Sequence, residues 1–106
     1  MLTLKHRTLG LAKMRAAAGE AAALLRTLAN EDRISLLCQL AQGELCVGDL
    51  SEKTAITQPT LSQQLGVLRE QGLVATRRDG KRIFYSISEP KALAVLRTLY
   101  DLYCAK

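Results

Sequence analysis

The spacing of apolar residues changes along the chain and divides it into elements. From Ala16 to Leu28 the sequence is rich in Ala and Leu, and Leu24, Leu25 and Leu28 recur at helical spacing, which predicts a first helix. Asn30 is a good N-cap, and Glu31 and Asp32 suit a first turn that faces the positive end of the helix dipole. Ile34, Leu37, Cys38 and Ala41 then line one face of a second helix, which Gly43 ends. A short third helix is expected from about Val47 to Lys53, with Leu50 pointing inwards.

Thr57 is placed to cap a fourth helix, with Pro59 tolerated in its first turn. Leu61, Leu65 and Leu68 form the buried stripe of that helix, and Gly72 stops it. Two β-prone runs, Leu73–Arg77 and Ile83–Ile87, flank Asp79-Gly80, a strong hairpin signal. Glu89-Pro90 opens a last helix that reaches about Tyr103, with Leu93, Leu96, Leu99, Leu102 and Tyr103 apolar. The order is α-α-α-α-β-β-α. It predicts a mostly helical α+β fold, a winged helix-turn-helix over residues 16–106.

Composition narrows this reading. The chain has 106 residues, few aromatics and no Trp, so it holds one small core that favours helix packing and gains from dimerisation. Fifteen Lys and Arg against ten Asp and Glu give a net charge of +5, which leans towards an anionic partner. Residues 1–15 carry Lys5, Arg7, Lys13 and Arg15 with no acid, and are expected to form a basic arm without fixed structure or the frayed start of the first helix. Lys13, Arg15 and Glu20 interrupt any apolar leader, and no run approaches membrane-spanning length. A cytoplasmic protein is expected. In that reducing setting its three cysteines are thiols rather than structural disulfides.

The positions of the charges point to DNA. In "TQPTLSQQLGVLREQG" the polar Thr57, Gln58, Thr60, Ser62 and Gln63 gather near the start of the fourth helix, where a recognition helix reaches base edges. Taken alone, such a face is also what an ordinary solvated helix shows. The hairpin tilts the balance: Arg77, Arg78, Lys81 and Arg82 crowd one tight turn against the single Asp79, a density suited to phosphate contact. No C-x-x-C, phosphate loop or acid–base partner accompanies the thiols, so neither an enzyme nor a cofactor is expected.

The strings "TLANEDRISLLCQLAQGELCVGDLSEKT", "TQPTLSQQLGVLREQGLVATRRDGKRIFYSI" and "LYDLYC", within residues 27–104, resemble the ArsR/SmtB family of bacterial repressors. The resemblance implies a homodimer joined through its first and last helices, bound to a palindromic double-stranded operator and released by an inducer. Leu24, Leu28, Leu96, Leu99 and Tyr103 are then candidates for the dimer face, the alternative being that some of them belong to the core of the subunit.

The family's metalloid sensors carry several cysteines in a string like "ELCVCDLC". Here that string reads "ELCVGDLS", so Cys46 remains while Gly48 and Ser51 supply no thiolate. The family's zinc sensors place His and acidic ligands along the last helix, but the only His of this chain is His6. The positions of Cys38 and Cys104 resemble those of a subgroup that senses persulfides and polysulfides. The resemblance implies that these two cysteines become linked through inserted sulfur, by reactive sulfur species or an oxidant, and that operator affinity then falls. The alternative is a metalloid-responsive repressor that uses Cys46 with the other cysteines.

Overall fold

The computed structural model describes residues 10–105. Five helices and one small sheet follow in the order α1 (Leu11–Leu28), α2 (Glu31–Leu40), β1 (Leu45–Cys46), α3 (Val47–Thr54), α4 (Thr60–Glu70), β2 (Val74–Asp79), β3 (Arg82–Ile87) and α5 (Pro90–Tyr103). This is the winged helix the apolar spacing predicts, with one strand more. Among the described residues no helix is long and apolar enough to cross a membrane.

The core is built almost wholly from leucine. Leu36, Leu37 and Leu40 of α2, Leu50 of α3, and Leu61, Leu65 and Leu68 of α4 are buried together. Leu28 of α1 and Ala92 and Leu96 of α5 close the same cluster. Each set repeats at the helical spacing that puts it on one face. As expected, Asn30 caps α2, its side chain accepting from the Arg33 N–H at 3.0 Å.

The structure departs from the sequence expectations in four places. The first helix begins at Leu11 rather than Ala16, so Lys13 and Arg15 stand on its exposed first turns instead of in an arm. Residues 1–9 of the predicted arm, with His6, lie outside the described residues. The fourth helix is capped not by Thr57 but by Gln58, whose Oε1 accepts from the Ser62 N–H at 3.1 Å, while Pro59 occupies the N-cap position. The hairpin pairs Asp79 with Arg82, so Gly80-Lys81 forms the two-residue turn and Asp79 ends the strand. Gly80 has φ +65°, the left-handed conformation such a turn requires at low cost only from glycine or a small polar residue.

The fourth departure is β1, which is too short to show any alternation in sequence. It pairs antiparallel with β3, Leu45 opposite Tyr85 and Cys46 opposite Phe84, giving the sheet order β1-β3-β2. This pairing pins the base of the wing to the start of α3. Ahead of α4 the chain turns through Ala55, whose φ of +61° is unusual for a residue with a Cβ. Ser51 Oγ donates to the Ile56 carbonyl at 3.1 Å and the Ile56 N–H donates to Thr54 Oγ1 at 3.3 Å, closing that turn.

Two substitutions test this packing in opposite directions. Leu68→Ala removes a fully buried side chain from the centre of the core and should cost about 2–5 kcal/mol of stability. Ala55→Gly, in contrast, relieves the left-handed conformation and should be neutral to stabilising by up to about 1 kcal/mol. Urea unfolding at fixed protein concentration measures both.

Candidate nucleic-acid interface and thiol pair

Helix α4 turns Leu61, Leu65 and Leu68 into the core and leaves Thr57, Gln58, Pro59, Ser62 and Gln63 exposed at and before its N-terminal end, with Thr60 half-buried. These are the residues the sequence selects for base reading, and the structure gathers them at one end of one helix. Only Gln58 has a further task, since its carbonyl oxygen caps the helix.

The wing presents Arg78, Lys81 and Arg82 to solvent around the Gly80-Lys81 turn. Arg77 differs from them. Its Nε and Nη2 fork onto the carboxylate of Glu44 at 2.8–3.0 Å, and its guanidinium lies 4.7 Å from the ring centroid of Phe84. The carboxylate, through hydrogen bond and charge, holds the Arg77 guanidinium protonated even more firmly than usual. Glu44 lies in the turn before β1, so the pair ties the wing to the segment that leads into α3. Sequence reasoning missed Glu44. The available signal was an isolated acid ahead of a strongly basic hairpin.

The three thiols stand in three different settings. Cys38 is half-buried on α2 and packs against the leucine core. Burial pushes its thiol above the ordinary value, and the charge of neighbouring Cys104 pushes it further in the same direction. Cys104 is exposed at the C-cap of α5, a helix that packs against α2. The fold therefore places the two cysteines singled out from the sequence on, or at the end of, two helices that pack together within one subunit. Cys46 is buried beneath the wing, its thiol donating to Asp49 Oδ2 at 3.2 Å. Among the described residues no group of three or more His, Cys, Asp or Glu could hold a metal ion, so the three thiols do not form one cluster within a subunit.

Of the dimer-face candidates, Leu28 and Leu96 are core residues with 3% and 4% exposure. Their apolar character serves the subunit itself. Leu24 and Leu99 are half-buried and Tyr103 is 82% exposed, and it is joined by exposed Leu102 and Tyr100 on α5 and by Leu11, Met14 and Leu25 on α1. Among the described residues, α1 and α5 thus carry every exposed large apolar side chain except Ile83 of β3.

A helix-turn-helix with a basic wing and a polar recognition face defines a DNA-binding regulator. The family model described as "Bacterial regulatory protein, arsR family" matches residues 30–76. The biofilm growth-associated repressor of Agrobacterium fabrum is 57% identical over 88 residues, covering 83% of this chain and 75% of that protein. The crystal structure of the transcriptional repressor BigR from Xylella fastidiosa superposes with a TM-score of 0.88 at 48% identity, covering 92% of this chain and 100% of that one. The structure of reduced HlyU from Vibrio cholerae superposes at 0.82 with 40% identity, covering 89% and 99%. The chain belongs to the arsR family of DNA-binding transcriptional regulators and is not an enzyme.

Two measurements follow from the site. If Arg77 steadies the wing rather than contacting DNA, Glu44→Gln should weaken operator binding by about two- to fivefold even though it removes a negative charge. A gain in affinity would show instead that Arg77 works as a phosphate contact. In a chain that keeps only Cys38, alkylation by iodoacetamide should continue to accelerate at pH values where a free cysteine has levelled off. The raised pKa delays thiolate formation as pH rises, and the thiolate is the reacting species.

Proposed function

We propose that this protein is a homodimeric repressor that leaves its double-stranded operator when Cys38 and Cys104 are joined through sulfur. The observation that carries the reading is the placement of the pair: a half-buried thiol on α2 and an exposed one at the end of α5, on helices that pack together. Thr57, Gln58, Thr60, Ser62 and Gln63 read the operator. Arg78, Lys81 and Arg82 hold its phosphates, and Arg77 supports them from the base of the wing. The exposed apolar strip on α1 and α5, which includes Leu24, Leu99 and Tyr103, is the surface a second copy covers. Similarity to a protein whose structure is described as reduced fits a thiol-based signal.

The chemistry balances with a persulfide donor as the only co-reactant. Each cysteine takes one sulfane sulfur from a donor persulfide, which departs as a thiol. One cysteine persulfide then attacks the inner sulfur of the other, hydrosulfide leaves, and a trisulfide joins the helices. Cys104, being exposed, is the first to meet the donor. The bridge ties the end of a dimer-face helix to the helix behind the DNA reader, and so alters the relation of the two recognition helices in the dimer. The metalloid alternative would need Cys46 to leave Asp49 and converge with thiols it does not face in this subunit.

Reduced protein should bind operator-sized DNA in a salt-dependent manner and release it after treatment with a persulfide donor. Mass spectrometry should then find a Cys38–Cys104 crosslink one sulfur heavier than a disulfide. Cys38→Ser should stay bound after the same treatment, and full release of that variant would sink the proposal. Tight arsenite binding lost in Cys46→Ser would favour the metalloid reading instead.

A further inference from the structure

One side chain touches both the helix of the dimer face and the helix that reads DNA. Arg33 stands at the third position of α2, half-buried. Its Nε donates to the Thr27 carbonyl at 2.6 Å and its Nη2 to the Arg26 carbonyl at 3.3 Å, both at the C-terminal end of α1. Its Nη1 donates to Gln64 Oε1 on α4 at 2.8 Å. A guanidinium is rigid and planar, so its three contacts fix two helices in one mutual orientation, which a flexible ammonium cannot do.

The position of Arg33 makes a purely local role hard to sustain. A cation in the first turn of a helix faces the positive end of the dipole, an unfavourable place by itself. Arg33 is compensated from outside its own helix, by the carbonyls at the negative end of α1. Gln64 is also set apart from its neighbours. It is half-buried, whereas Ser62 and Gln63 are exposed on the reading face. Its amide points its oxygen back to Arg33.

We propose that Arg33, acting through Gln64, is the positioning residue that sets the recognition helix relative to the dimerisation helix, and thereby fixes the half-site spacing the dimer accepts. The spacing between two recognition helices in a dimer depends on how each α4 is held to its own α1. A strut between them converts the dimer geometry into a demand on the distance between half-sites. This inference rests on the DNA-binding fold and on the proposed homodimer, and does not depend on the cysteines or on any inducer.

The test uses the full chain, an operator selected from random duplexes, the same operator with one base pair added to or removed from its spacer, and an unrelated duplex. Gln64→Leu, of similar volume, removes the acceptor and leaves the bonds to α1 in place. Arg33→Lys keeps the charge but cannot fork. Each should lower the preference for the selected operator over the unrelated duplex by about five- to tenfold, a typical size for one coupled contact. Affinity for the unrelated duplex should change less than about twofold, since it rests on phosphate contacts. Discrimination against the altered spacers should shrink by a similar factor, and the double variant should be no worse than either single one.

Gln64→Glu keeps an acceptor for Arg33 and should preserve the preference even if its charge weakens both duplexes alike. Losses that multiply in the double variant would overturn the proposal and make Gln64 an independent DNA contact. Equal loss on all duplexes would overturn it as well, leaving Arg33 a stabiliser of the fold. Unchanged preference in Gln64→Leu would do the same.

Discussion

The burial of one face of α2 is the interaction on which the rest of this domain depends. Leu36, Leu37 and Leu40 lose nearly all contact with solvent, and α1, α3, α4, β3 and α5 all pack against this helix. A ten-residue helix in that position has little freedom to shift without opening several interfaces at once. Its two ends can therefore act as fixed points. Arg33 at the N-terminal end reaches α1 and α4, and Cys38 near the C-terminal end lies beside α5. This well-covered helix thus carries groups that reach both α1 and α4 at one end and face α5 at the other.

The wing is held by a different kind of contact. Its base is pinned by the short β1–β3 pairing and by the fork of Arg77 on Glu44, while its tip leaves Arg78, Lys81 and Arg82 free. An exposed ion pair contributes little to stability. What the fork supplies is direction: it orients a two-stranded ribbon whose turn would otherwise be set only by the hairpin itself. Charge clustered along a sequence therefore divides in space between a residue that supports the wing and residues left open to solvent.

The cysteines separate by environment as well. Cys46, the residue nearest to the family's metalloid motif, is occupied with Asp49 under the wing, and Ser51 closes the turn before the recognition helix. Cys46 and Ser51, two of the positions the resemblance links to metalloid binding, here have structural tasks. Cys38 and Cys104 stand apart from them, one partly shielded and one open to solvent. That asymmetry suits a two-step thiol reaction, in which an accessible group meets the reagent and a shielded group completes the bridge.

The sequence by itself determined the helices, the hairpin and the polar face at the start of α4, because each is written in local order. Leu61, Leu65 and Leu68 repeat at the helical period, and Asn30 and Pro90 mark helix starts. Asp79-Gly80 announces a turn to within one residue. The resemblance pointed to Cys38 and Cys104, whose separation in the chain says nothing of their distance. Only the tertiary structure decided that these thiols lie on packed helices and that Leu28 and Leu96 belong to the core. It alone withdrew Arg77 from the free charges of the wing. The partners of Arg33 and Arg77 lie 31 and 33 residues away, and such contacts leave no periodic trace in sequence. They exist because the leucine core folds first principles of spacing into one fixed set of distances, and a hydrogen bond depends on distance and angle rather than on order along the chain.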